Sequence, residues 1–177
     1  MILPRQTRLT PIQKRHNRKA FDCGYADLNE FLAHSARASS DKRMTRTFVI
    51  EDPSDPNMIM AYITLTYTTI DLPVECTPAR KLKNPVPALL LAKMAVDNRY
   101  KGSSYGKRLL TFAIKEASET SKRVGGVGLV VDAKDNHAKA FYLSRGGDDF
   151  EIIDESGLKL WLPIDICDAI AKTLGEP

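Results

Sequence analysis

The loop Lys101-Gly102-Ser103-Ser104-Tyr105-Gly106 combines residue types that could do chemistry with a position where chemistry is often placed. Small residues let backbone N–H groups converge on an anion, and a helix that begins there adds the positive end of its dipole. That combination binds phosphate. The loop has too few glycines for a dinucleotide fingerprint and lacks the Gly-Lys-Ser/Thr ending of a P-loop. A Gly-Ser-Ser stretch before a helix also fits a plain turn closed by a serine cap, so the residues alone leave both readings open.

The flanking elements must hold that loop. Before it, Leu89-Leu90-Leu91-Ala92-Lys93-Met94-Ala95-Val96 is a short apolar run bounded by Pro87 and by Asp97-Asn98, which predicts a strand buried on both faces, with a buried helical turn left open by periodicity alone. After it, Gly106 to Ala117 places Leu109, Leu110, Ala113, Ile114 and Ala117 on one helical face, with Lys107, Arg108, Lys115 and Glu116 largely elsewhere. Further on, Gly128 to Ala133 predicts a β-branched strand, and Asn136 to Gly146 a short helix capped by Asn136 and ended by Gly146.

Strand, basic residue, glycine-serine loop and Leu-Leu helix resemble the acetyl-CoA pyrophosphate motif of the GNAT superfamily of N-acetyltransferases. Lys101 stands where that family usually has Gln or Arg, and Ser104 where it usually has Gly or Ala. The later helix, with Ala138-Lys139-Ala140-Phe141-Tyr142, resembles the family's second motif. The resemblance implies acetyl-CoA as cosubstrate, with Lys101, Gly102, Ser103, Ser104, Tyr105, Gly106 and Lys107 at its pyrophosphate. It implies Met94, Ala95 and Val96 along the pantetheine arm and the acetyl carbonyl, and Asn136 facing the cofactor arm. Tyr142 is then the general acid. A phenol with an ordinary pKa near ~10 stays protonated at neutral pH and can protonate a departing thiolate, while a backbone N–H at a splayed strand end can stabilise the oxyanion. Read without the family, Tyr142 equally fits a packing residue with a polar tip. The family's Gly-Phe after this helix is Gly146-Gly147 here, leaving Phe150 to fill the core space.

A narrower resemblance runs through Phe21-Asp22-Cys23-Gly24, Arg46-Thr47-Phe48-Val49, Pro85 to Leu91, Met94 to Asp97 and Val131 to Lys134: it is similar to the acetyltransferase toxins of bacterial toxin–antitoxin pairs. That subfamily acetylates the α-amine of an amino acid already charged on tRNA, is restrained by a ribbon-helix-helix antitoxin, and is often homodimeric. Charge bears on the acceptor independently. From Met1 to Ile50, ten basic residues stand against four acidic ones, a net +6 in a chain whose total is +4. This fits an electropositive face toward RNA phosphates, with Arg43 and Arg46 as candidate contacts, and equally a solvated basic surface. Two other functions remain open in the sequence: acetylation of a small amine or protein amine, and an idle CoA-binding module.

The fold expected is α/β (α+β), a GNAT fold with a central mixed, mostly antiparallel sheet flanked by helices, in a single domain over residues 1–177. Asp27 to Leu32 opens a helix with Asp27 as cap and Leu28, Phe31, Leu32 and Ala36 on one face. Thr47 to Ile50 and Met58 to Thr69 read as an antiparallel pair around the turn residues Asp52 to Asn57, and Pro73, Pro78, Pro85 and Pro87 mark a loop. Phe150 to Ile153 and Leu158 to Leu162 form a last hairpin. Cys23, Cys76 and Cys167 show no paired spacing, and His16, His34 and His137 form no cluster, so neither metal site nor disulfide is expected. With no membrane-spanning run or signal-peptide core, a cytoplasmic protein is expected.

Overall fold

The structure, a computed structural model, describes residues 9–76, 81–146 and 149–175. Pro78 of the proline-marked loop and Gly147 after the second motif lie outside the described residues. Seven strands, β1 (Leu9–Pro11), β2 (Arg46–Asp52), β3 (Asp55–Ile70), β4 (Val86–Val96), β5 (Gly128–Asp132), β6 (Glu151–Ile152) and β7 (Lys159–Pro163), form a sheet in the order β1-β2-β3-β4-β5-β7-β6. Among the described pairings β4 and β5 are parallel and the rest antiparallel, which is the mixed, mostly antiparallel sheet expected. The chain divides into two compact units, Met1–Thr66 with Ala92–Leu109, and Tyr67–Leu91 with Leu110–Pro177.

In the first unit, Val49 pairs with Thr10 on one side and Tyr62 on the other. The turn between β2 and β3 is tighter than the residue types suggest. Asp52 pairs directly with Asp55, so Pro53 and Ser54 alone make the turn, and Asp52 accepts both the Ser54 N–H and its hydroxyl. The expected helix is present as α1 (Ala26–Glu30), a π-helical turn Phe31–Ser35, and α2 (Ala36–Asp41). Asp27 does not cap it: Tyr25 is the N-cap, without a side-chain bond, and Asp27 lies in the first turn. There its carboxylate still favours the helix dipole. The π turn keeps the predicted apolar residues on one side, since Leu32 and Ala36 are fully buried with Phe21, Cys23, Val49, Tyr62 and Ala95, and Leu28 and Phe31 pack against them. Each such large apolar side chain contributes about 1.5–3 kcal/mol by leaving water.

In the second unit, β4 pairs with β5 at Leu89↔Leu129, Leu90↔Val130 and Leu91↔Val131, and β5 with β7 from Gly128↔Pro163 to Asp132↔Lys159. Pro87, expected in a loop, lies within β4. It has no N–H to place, and its carbonyl accepts the Val127 N–H at 2.9 Å. The helix α3 (Tyr105–Val124) buries Leu110, Ala113, Ile114 and Ala117 here, and Leu109 at its start in the first unit, as its spacing predicts. Trp161 is fully buried beside Gly128, where an added Cβ would lie 2.2 Å from the Leu162 carbonyl oxygen. The sequence reading missed α5 (Ile164–Gly175), which buries Cys167 and whose Asp168 accepts the Ser118 hydroxyl at 2.6 Å. The final hairpin forms as expected.

Candidate active site

Strand β4 is the first component of the site. Its ladder with β5 ends at Leu91, so Ala92 to Val96 run on with no strand partner on that edge among the described residues. The expectation of burial on both faces does not hold there: Ala92, Lys93, Met94 and Val96 are half-buried, and only Ala95 is buried. An edge freed this way leaves main-chain donors and acceptors for an extended ligand.

The turn after β4 is organised by Asp97, a buried carboxylate expected from the sequence as a strand boundary and part of the toxin-like segment but not as a site residue. It accepts the Arg99 N–H at 2.9 Å, the Arg99 guanidinium at 2.8 and 2.9 Å, and the Asp22 N–H at 3.0 Å. Burial disfavours its charge, yet the Arg99 contacts and the N–H bonds outweigh that and hold the carboxyl below the usual range. The Asn98 N–H donates to the Asp22 carbonyl at 2.8 Å, and the Lys101 ammonium donates to the Cys23 carbonyl at 2.9 Å. The Phe21-to-Tyr25 turn is thereby tied to the loop. Lys101, expected at the pyrophosphate, thus has one of its three donors committed to backbone. Burial raises the Cys23 thiol pKa, which suits a packing residue rather than a nucleophile. Tyr100 adds a bond from its hydroxyl to Asp52 at 2.7 Å.

The loop itself turns on two left-handed residues, Gly102 at φ +82° and Ser104 at φ +64°. Only glycine adopts this region without cost, and a serine there stores about 1–2 kcal/mol of strain. Neither Ser103 nor Ser104 makes a side-chain hydrogen bond among the described residues, so the serine-cap alternative is not what the structure adopts. The Arg108 N–H closes the first helical turn on the Ser104 carbonyl at 3.1 Å, while the N–H groups of Ser104, Tyr105, Gly106 and Lys107 find no acceptor among the described residues. Four unclaimed amides at the start of a 20-residue helix are donors that an anion could take up.

In the second unit, α4 (Asn136–Gly146) carries both remaining site candidates. Asn136 is its first residue rather than its cap, because the Asp135 side chain accepts the Ala138 N–H at 2.8 Å. Asn136 is exposed and its side chain has no partner among the described residues. Tyr142 is buried, with its ring against Phe141 and, at 6.5 Å, against Phe150, which fills the core space as expected. Its hydroxyl has no hydrogen-bond partner among the described residues, and burial pushes its pKa upward, which keeps the proton on the phenol.

The basic candidates Arg43 and Arg46 lie in the first unit, exposed and without an ion pair among the described residues. Arg43 adopts φ +58° just past α2, where its N–H reaches the Ser40 carbonyl and the Met44 N–H reaches that of Ser39. This is a Schellman ending with arginine in the usual glycine place. Arg15 and Arg37 are spent on Glu51 and Asp41, and Arg5 and Arg8 lie outside the described residues. Among the described residues no three His, Cys, Asp or Glu side chains gather as metal ligands, the three cysteines are free, and no helix is long and apolar enough to cross a membrane.

A parallel strand that outruns its neighbour, leading into a helix whose first amides are unclaimed, is the architecture of an enzyme that transfers acyl groups from CoA. The chain belongs to the acetyltransferase (GNAT) family, whose model matches residues 17–146. It is an N-acetyltransferase with acetyl-CoA as donor. Among curated proteins it is 28% identical, over 81% of this chain and 83% of the relative, to a tRNA-acetylating toxin of Mycobacterium tuberculosis. It is 25% identical, over 85% of this chain and 86% of the relative, to a probable toxin TacT of Sinorhizobium fredii. Among solved structures, AtaT complexed with acetyl-methionyl-tRNAfMet superposes with a TM-score of 0.80 at 23% identity, covering 92% of this chain and 99% of that one. A tyrosine-to-phenylalanine mutant of KacT gives 0.79 at 26%, covering 92% and 98%. A like mutant of AtaT, bound to the C-terminus of the antitoxin AtaR and acetyl-CoA, gives 0.78 at 21%, covering 96% and 98%.

Proposed function

We propose that this N-acetyltransferase is a toxin that acetylates the α-amine of an aminoacyl-tRNA and so blocks its use in peptide-bond formation, acting in the cytoplasm under the restraint of a ribbon-helix-helix antitoxin. The observation that carries the cofactor half is the set of unclaimed amides at Ser104 to Lys107. The acceptor half is supported by the two curated relatives, one of them named as a tRNA-acetylating toxin, and by the unpaired, exposed Arg43 and Arg46.

Acetyl-CoA supplies an acetyl group activated as a thioester. The amides of Ser104 to Lys107 and the ammonium of Lys101 hold its pyrophosphate, and the open edge of Met94 to Val96 takes the pantetheine arm by main-chain bonds. A backbone N–H of that edge stabilises the carbonyl oxygen as it gains charge. Asn136 steadies the cofactor arm. The hydroxyl of Tyr142 gives its proton to the departing thiolate, and the proton lost by the attacking nitrogen restores the phenol. The nitrogen–carbon bond forms as the carbon–sulfur bond breaks, and the proton count closes without an added base. Arg43 and Arg46 face the RNA phosphates as free cations.

The test is mass spectrometry of total aminoacyl-tRNA after incubation with the protein and acetyl-CoA. An acetylated aminoacyl-tRNA, lost by at least about 100-fold in rate with Tyr142→Phe, is the expected result. Absence of any acetylated aminoacyl-tRNA, with acetyl transfer to a polyamine or peptide instead, overturns the acceptor.

A further inference from the structure

The apolar run of β4 contains one cation, Lys93, directly before the Met94 to Val96 edge. Its side chain is half-buried, and its ammonium lies 4.9 Å from the centroid of the Phe31 ring in the π-helical turn. Among the described residues it makes no ion pair and no hydrogen bond. The elements packed around it offer several titratable groups, and it forms an ion pair with none of them among the described residues. Glu30 is exposed and paired with His34 at 3.5 Å, and Asp27 is exposed on α1. On β3 the Tyr62 hydroxyl donates to the Leu28 carbonyl at 2.9 Å, and burial pushes its pKa upward, so it stays neutral. Burial likewise raises the Cys23 thiol, and Tyr25 lies beside the Lys101 ammonium, 6.0 Å from its ring centroid. The Phe31 ring face is thus the contact that holds the ammonium in place.

The chemistry gives that arrangement a use. The acceptor must attack as a neutral amine, yet no side chain of the proposed site serves as a base to remove its proton. A fixed positive charge beside the amine disfavours its ammonium form as a base would, by repulsion rather than by taking the proton. We propose that Lys93, held over Phe31, is the electrostatic residue of the acceptor site: its charge favours the neutral form of the bound acceptor amine. This rests on the reading that an amine is acetylated at the Met94 to Val96 edge. Two unit charges on the order of 7 Å apart in a partly solvated site shift a proton equilibrium by about one pH unit.

The experiment is the pH dependence of the single-turnover rate at saturating aminoacyl-tRNA and acetyl-CoA, a condition that reports ionisations in the bound complex. Lys93→Met keeps the stem against Phe31 and removes the charge, while Lys93→Arg keeps the charge; melting temperatures show whether each variant is folded, and Lys93→Gln replaces the methionine variant if it is not. The acid limb is expected to move upward by about one pH unit in Lys93→Met, an approximately tenfold loss below the limb, with the rates converging with wild type on the alkaline plateau. Lys93→Arg is expected to follow wild type. An unmoved limb in a folded Lys93→Met protein overturns the proposal, as does a raised KM for tRNA with an unmoved limb, the result of a phosphate contact. If wild type acetylates no aminoacyl-tRNA, the acceptor reading fails instead, and the same limb is measured on the amine it does acetylate.

Discussion

Replacing Asp97 by alanine should loosen the turn that carries the cofactor loop, and the cost follows from its four contacts. Two are backbone donors, the N–H groups of Asp22 and Arg99, and two are guanidinium contacts from Arg99. Leaving a part-buried N–H unpaired costs about 1–3 kcal/mol. The ion pair adds less than a buried one would, because the Arg99 side chain is 49% exposed and solvent screens it. Together these give about 2–4 kcal/mol, a fall in melting temperature of about 5–15 °C for a chain of this length. The KM for acetyl-CoA should rise by about tenfold as Gly102 to Lys107 lose their anchor. Asp97→Asn keeps an acceptor for the amides and should lose roughly half as much. The sign with pH is fixed: a carboxyl held below its ordinary value contributes stability fully above about pH 4 and loses it as pH falls through the folded pKa. The gap between wild type and Asp97→Asn should therefore close at strongly acid pH. Thermal melts across pH, paired with acetyl-CoA titrations, measure all of this. Melting of Asp97→Ala within about 2 °C of wild type at neutral pH would refute the argument that Asp97 organises the turn.

Ser104→Gly should keep the acetyl-CoA KM within about twofold of wild type, since the left-handed backbone suits glycine, whereas Ser104→Val should raise it about tenfold as a β-branched side chain expels that conformation; isothermal titration with CoA decides. Gly128→Ala should destabilise by more than about 4 kcal/mol and deplete the soluble protein, because the new methyl meets the Leu162 carbonyl and the Trp161 ring nitrogen. A variant melting like wild type would show that β5 and β7 can part there. Burial holds the Tyr142 proton above the ordinary phenol value, so the transfer rate should show no alkaline fall below about pH 10; a stopped-flow thiol-release profile that declines near pH 8 would assign the acid elsewhere.

What the sequence made legible was local. The i, i+3, i+4 spacing of Leu109, Leu110, Ala113, Ile114 and Ala117 fixed the buried face of α3, because a helix's period is written in neighbouring residues. Other features depend on what the chain does elsewhere. Asp97 closes on Asp22 across 75 residues, and no local pattern announces that bond, although Asp-x-Arg at a strand end does signal the bond to the Arg99 N–H. Ile164-Asp165-Ile166-Cys167 alternates like a strand, which concealed α5; Pro163 just before it was the available start signal.

Ser104 and Lys93 show how a departure from pattern becomes physical. Sequence marks Ser104 only as a residue in a glycine place, and the backbone explains the consequence: the chain keeps the left-handed turn despite the side chain, in a loop tied to the Phe21-to-Tyr25 turn by Asp97 and Lys101. Lys93 reads as a flaw in an apolar strand until Phe31, placed by the π-helical turn, is seen beneath its ammonium. Both residues lie next to the elements proposed to receive acetyl-CoA. Strain and uncompensated charge concentrate where a ligand will use them, so the two positions that fit the fold least are the ones whose substitution should speak most directly about the reaction.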